Sequence, residues 1–285
     1  MDIAVDEAEA INAAFTLPLS DGTFDGRLGA TLHRLSLARP SLILCFAPKA
    51  AGTFLRTAAI EAVNGQLVRI VHAQGGRDAQ PYLPTFIAYY LGKLTERVLV
   101  GHAHMQALPA NRNFIEALNL RPVIMLRALP DMLASYWDML ESDPAARAEG
   151  LNCAIPDGFV AMSRDDKADF LTDMVAPWYA SYFASWLRFA DDEPGRVCVL
   201  TYRDFVASPA ATLHLALSHA RLGQPQVVCQ AALDKVWKER LTLRFNHGVE
   251  GRGRRYFSPS RISRMARLLS HYDIPRHAWD VLMGV

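Results

Sequence analysis

The side chains best suited to chemistry gather at four places along this sequence. Pro48-Lys49-Ala50-Ala51-Gly52-Thr53 sets a mobile cation and a hydroxyl around three small residues, just after an apolar run and just before a helical pattern. A loop entering a helix turns unpaired N–H groups and the positive end of the helix dipole towards one point, and that point suits an anion. Arg127 follows a second apolar run and Ser135 stands eight residues on, a little over two helical turns away, so both can meet one phosphate from two sides. His102 and His104 close a third run, where a ring with an ordinary pKa of about 6.5 can take a proton at neutral pH. The fourth place is 244–267, with seven arginines against one acid, Glu250.

Each place also has a plainer reading. PKAAGT can be a turn with a solvated lysine, each histidine a core residue, and the arginine run an exposed face. The spacing GxxxxGK[ST] is absent, which excludes a Walker A loop.

The elements that must position these groups follow from periodicity. SLILCFA at 41–47 reads as a strand buried on both faces, and Phe54, Leu55, Ala58, Ala59 and Val63 fall at helical spacing, with Thr53 placed to cap the first turn. RVLVGHAH (97–104), RPVIMLRA (121–128) and RVCVLTY (196–202) read as further strands, with His102 at the end of its strand. PDMLASYWDML and a segment from Ser208 and Pro209 read as helices. Alternating strands and helices predict an α/β fold: a single three-layer domain, a central parallel sheet with helices on both faces, and ligands beyond the carboxyl ends of the strands. The aromatic stretch 168–190 reads as a packing helix and 143–168 as a polar, mobile insertion. Residues 1–40 are expected to form an extension packed on a domain that spans 41–285.

Composition narrows the class further. With 285 residues, 51% of them hydrophobic, 21% charged and a net charge of +1, the chain is globular rather than disordered. Only five of its basic residues are lysines, and the +6 of 244–267 leaves −5 elsewhere, which is a local anion-binding patch and not a coat for nucleic acid. Cysteines 45, 153, 198 and 229 share no zinc spacing, the acidic start lacks a signal-peptide pattern, and no apolar run approaches a membrane span. A cytoplasmic, metal-free protein is expected, with no nucleic-acid partner and an oligomeric state that the sequence leaves open.

From 41 to about 257 the sequence resembles the sulfotransferases that use 3'-phosphoadenosine 5'-phosphosulfate (PAPS). Pro48 to Leu55 is similar to their PKSGTTWL loop, Arg127 and Ser135 match the spacing of an Arg–Ser pair, Thr201 to Phe205 resembles their YEDL segment, and Phe245 to Gly251 resembles their late RKGxxG loop. His102 stands where the family's KTHLP segment carries its histidine. Departures are equally specific: Ala51 replaces a loop glycine, Gly52 takes a threonine place, Val100 replaces a strand lysine, and Asn246-His247 replaces an Arg-Lys pair.

The resemblance implies a P-loop-like phosphosulfate-binding loop and in-line transfer of a sulfuryl group from PAPS to a hydroxyl, less readily to an amine, leaving PAP and needing no metal. It assigns Lys49, Ala50, Ala51, Gly52, Thr53 and Phe54 to the 5'-phosphosulfate, and Arg127 and Ser135 to the 3'-phosphate. Tyr202 goes to the adenine and Asn246, His247 and Gly248 to the closing loop, with Arg252 beside them as a substitute contact. Lys49 would follow charge onto the leaving phosphate, and His102, with His104 one alternate position on, would serve as base. Small-molecule, glycan and lipid acceptors all remain open. Rival readings are a P-loop kinase and a PAP-binding protein without transferase activity.

Overall fold

Leu42–Cys45 (β1) is apolar at every position because both of its faces are covered, the requirement of a central parallel strand. It pairs in parallel with Val98–Ala103 (β3) on one side and Pro122–Leu126 (β4) on the other. Gly65–Val68 (β2) adds to β3 and Cys198–Thr201 (β5) to β4, giving the order β2-β3-β1-β4-β5, all parallel. The computed structural model describes residues 26–72, 76, 78–150, 153–238 and 250–285. Asn246, His247 and Gly248 lie outside the described residues.

Helices connect and cover the sheet. Gly26–Ala38 (α1) precedes β1 and sinks Leu32 and Leu35 into the core. Gly52–Ala62 (α2), Leu83–Tyr90 (α3) and Pro109–Ala117 (α4) link β1, β2, β3 and β4 in turn. Between β4 and β5 run Leu129–Ser142 (α5), Pro144–Glu149 (α6), Arg164–Phe170 (α7), a π-turn at Leu171–Val175, and Ala176–Asp192 (α8). Tyr202–Ala207 (α9), Pro209–His219 (α10), Gln226–Lys238 (α11), Pro259–Ser270 (α12) and Arg276–Met283 (α13) complete the chain.

Because β2 and β3 lie on one side of β1 and β4 and β5 on the other, the loop after β1 opens at the point where the strand order reverses. That is the crevice where open parallel sheets bind ligands. Among the described residues no helix is long and apolar enough to cross a membrane.

Two expectations need correction, and one strand went unread. Strand β2 escapes the periodicity because, at an edge, Gln66 and Leu67 are exposed and the apolar run is too short to register. The stretch 143–168 is not one loose insertion: it contains α6 and most of α7, buries Phe159, and ties the buried Lys167 Nζ to Glu141 and the Val160 carbonyl, 2.9 Å each. Thr53 does not cap α2, because the cap position falls on Ala51 and Thr53 already lies inside the helix, its carbonyl accepting from Thr57 Oγ1.

Candidate active site

The loop between β1 and α2 turns sharply enough that two non-glycine residues, Lys49 (φ 67°) and Ala51 (φ 63°), sit in the left-handed region. An L-residue there costs on the order of 1 kcal/mol, so other contacts must hold the turn. They do so through its carbonyls. Tyr182 Oη donates to the Cys45 carbonyl, His104 Nδ1 stands 2.5 Å from the Phe46 oxygen, Tyr179 Oη donates to Pro48 at 3.1 Å, and Arg127 Nη1 donates to Lys49 at 2.7 Å. The Ala47 carbonyl takes the Ala50 N–H at 3.2 Å.

Five successive carbonyls, Cys45 to Lys49, are thus engaged from within the protein. Such a turn is built to leave N–H groups for a ligand, and the N-terminus of α2 adds its dipole to them. Burial holds the Tyr179 and Tyr182 phenols far above their ordinary pKa, so both remain donors at any ordinary pH. The aromatic face of α8, read from sequence as packing, is therefore also the support of the loop. Nothing in its periodicity separates a buried ring from a buried ring with a working hydroxyl.

The histidines meet this loop from β3. His102 lies one residue before the end of its strand, in register with Leu44 rather than past the strand's end, and Ala103 is the last strand residue. A Cβ added at Gly52 would stand 2.7 Å from His102 Nε2, so the ring abuts the first helical residue of α2 and any larger residue there would displace it. The His102 and His104 rings meet edge to face, centroids 5.1 Å apart. A carbonyl can only accept, so His104 Nδ1 carries a proton towards Phe46, and the neutral ring keeps its acceptor at Nε2.

Arg127 leaves the end of β4, 8% exposed, and serves two neighbours at once. Besides holding Lys49 it lies over the Tyr202 ring, 4.1 Å from the centroid, while its buried Nε has no hydrogen-bond partner. Ser135 is buried on α5, 3% exposed. Phe54 packs edge-on to Phe205 and Trp237, and Lys49 Nζ lies 3.7 Å from Met139 Sδ.

Beyond Arg127 opens a cavity of about 320 Å³, walled by Tyr202, Arg203, Glu250 and Arg254 among others. The carboxylate of Asp131, in the first turn of α5 and 2% exposed, takes the N–H of Gly251 on one oxygen (2.8 Å) and of Gly253 on the other (2.7 Å). A Cβ at Gly253 would strike the Pro130 backbone within 2.5 Å, so the late turn docks here by virtue of that glycine. The sequence gives Asp131 only the ordinary look of an acidic first turn.

The arginine run is divided. Arg252 is spoken for by Asp138 (2.6 Å) and Tyr256 and does not line the cavity, whereas Arg254 does. Arg261 pairs with Asp165 and Asp169, and Arg264 with Asp169 and Asp173. Neither an exposed face nor a single phosphate grip describes it: Arg252, Arg261 and Arg264 fasten the C-terminal helices to α5, α7 and the π-turn. Among the described residues no group of His, Cys, Asp or Glu is arranged to hold a metal ion.

Compared with solved structures, the chain is similar to mouse sulfotransferase SULT7A1 complexed with PAP, at 13% identity over 89% of this chain and 92% of that one, with a TM-score of 0.60. It is also similar to retinol dehydratase, in one structure with androsterone and inactive cofactor PAP and in another with retinol and PAP. Both share 10% identity over 96% of this chain and 96% and 97% of theirs, with a TM-score of 0.53. No family model matches the sequence, and no curated protein matches it. The chain has the sulfotransferase fold.

Proposed function

We propose that the protein is a PAPS-dependent sulfotransferase acting on a hydroxyl of a small-molecule acceptor, with the sulfotransferase unit spanning 41–285 and residues 1–40 as its extension. The observation that carries this is the loop itself: a strained turn with its carbonyls engaged behind it, His102 against its glycine and Arg127 at its back. The buried, unpartnered Arg127 Nε beside a cavity is the mark of a cation set for an anionic ligand, which fits an adenosine bisphosphate. The fold adds to it, since the similar structures hold PAP, and retinol dehydratase holds androsterone or retinol.

In this reading the donor supplies an activated sulfuryl group, and the chain's residues do the rest. Backbone N–H groups of Ala51 to Phe54 and the α2 dipole hold the 5'-phosphosulfate, with Ala50 shaping the turn through its own N–H on the Ala47 carbonyl, Arg127 and Ser135 hold the 3'-phosphate, and Tyr202 the adenine edge. His102 accepts the proton of the acceptor hydroxyl as its oxygen bonds to sulfur, and His104 keeps that ring oriented. Lys49 stabilises the charge left on the phosphate oxygen when the S–O bond breaks. For Asn246, His247 and Gly248 the reading keeps the nucleotide contact that the sequence resemblance assigns them.

The test is transfer of radiolabelled sulfate from PAPS to an extract of the source cell, with mass spectrometry of the product and calorimetry of PAP binding. Transfer with PAP binding supports the reading. PAP binding without transfer by any acceptor panel would leave a nucleotide-binding protein, and binding of ADP with magnesium in preference to PAP would favour a kinase. His102→Ala and His104→Ala are assayed apart; abolition only in the second would move the base to His104.

A further inference from the structure

Asp131 stands in the first turn of α5, where an acidic side chain ordinarily serves its own helix dipole, yet its carboxylate serves a distant part of the chain. One oxygen accepts the N–H of Gly251 at 2.8 Å and the other that of Gly253 at 2.7 Å. Two donors on two oxygens require a carboxylate, since an amide would set its own N–H groups against one of them. Two helical turns further along α5, Asp138 accepts from Arg252 and from Tyr256 Oη, 2.6 Å each. The turn 251–256 is therefore fastened to α5 at both ends, with Gly253 seated on Pro130 between them.

Fastening the turn sorts its arginines. Arg252–Arg255 form a 3₁₀ turn, in which successive side chains lie about 120° apart, so Arg252 and Arg254 leave it in different directions. Arg252 goes to Asp138, while Arg254 lines the cavity beside Arg127 and Arg203. Of these three cations, Arg127 is committed to the Lys49 carbonyl through Nη1 and Arg203 faces Glu250 at 3.6 Å. Arg254 pairs with no carboxylate among the described residues, and being exposed it is not needed for folding. The cavity also receives the buried Nε of Arg127, a donor that has no hydrogen-bond partner and that solvent does not reach. At about 320 Å³ it has room for a phosphate and part of the nucleoside that bears it.

We propose that Arg254 is the specificity-determining contact for the nucleotide's 3'-phosphate and that Asp131 is the positioning residue that holds it at the cavity. This rests on the PAPS reading and deepens it: the cation that separates adenosine 3',5'-bisphosphate from adenosine 5'-phosphate comes from the fastened turn, at Arg254 and not at Arg252. Arg127 meets the phosphate from the end of β4 and Arg254 from the late turn, and only the second contact depends on Asp131.

Calorimetry of the full chain and its variants measures the affinities of PAP and of adenosine 5'-phosphate, which differ by the 3'-phosphate alone. Arg254→Gln should weaken PAP roughly 10- to 100-fold and leave adenosine 5'-phosphate nearly unchanged, with Tm kept because the side chain is exposed. Asp131→Asn should weaken PAP just as selectively while lowering Tm. The double variant should lose little more than either single one, the non-additivity expected when one residue acts through the other. Should Asp131→Asn fail to fold, Gly253→Ala unseats the same turn from Pro130 and should show the same selective loss. An Arg254→Gln variant that keeps the parent's preference for PAP overturns the proposal, as do losses of both nucleotides alike in Asp131→Asn or Gly253→Ala, the mark of a merely structural fastening. A parent that binds the two nucleotides equally removes the PAPS reading itself, and this assignment with it.

Discussion

The Tyr179 hydroxyl donates to the carbonyl of Pro48 at 3.1 Å, across 131 residues of sequence. With Tyr182 on Cys45, one turn of α8 thereby holds both ends of the segment that leads into the left-handed turn at Lys49. Removing the phenol leaves a buried carbonyl without its partner. Tyr179→Phe should lower stability by about 1 to 2 kcal/mol. Since the carbonyl then has less reason to face inward, PAP affinity measured by calorimetry should fall with it, while a loss of stability with unchanged affinity would reduce Tyr179 to packing.

Lys49 separates stability from function. Its left-handed backbone is strained for any L-residue, so Lys49→Gly should raise stability by up to about 1 kcal/mol in thermal unfolding while removing the cation. Lys49→Ala should lower kcat by ~10² or more with Tm little changed. Unaltered turnover in both variants would remove Lys49 from the chemistry.

Gly52→Ala tests the contact between loop and base. The new methyl would fall 2.7 Å from His102 Nε2, and the ring must move by a few tenths of an ångström or more. A displacement of that order at a reacting group can cost up to ~10² in rate. The expected outcome is a fall in kcat that exceeds any change in PAP affinity; equal losses in both would mean that the loop, not His102, had moved.

Arg127→Ala should raise the apparent KM for PAPS, because a guanidinium fork on phosphate serves ground and transition states alike. It also frees the Lys49 carbonyl and uncovers Tyr202. PAPS affinity indistinguishable from the parent's would place the 3'-phosphate elsewhere.

Asp169 carries a pH signature. Hydrogen bonds from Arg261, and then from Arg264, draw its pKa from 3.8 to about 2. A carboxylate whose folded pKa is depressed stabilises the fold above its unfolded pKa and loses that contribution as pH falls through the folded value. Asp169→Asn should melt below the parent at neutral pH, modestly because the group is half-exposed, and the two melting curves should converge between pH 4 and pH 2. A gap that persisted at pH 2 would assign the ion pairs no share in fastening α12.

Sequence alone determined the alternation of elements and hence the parallel sheet, because buried strands and amphipathic helices must each repeat with their own period. It also singled out Lys49, Gly52, His102 and Arg127 as candidates, from their types and their places next to apolar runs. Edge strand β2 was illegible, since half-exposed edge residues need not be apolar. What only the tertiary structure decided is which polar atoms meet across long separations: Tyr179 and Tyr182 on the loop carbonyls, Asp131 on Gly251 and Gly253, Arg252 on Asp138 rather than towards the cavity. Those pairings depend on hydrogen-bond geometry fixed to a few tenths of an ångström by the packing of the whole core, and local residue spacing holds no record of it.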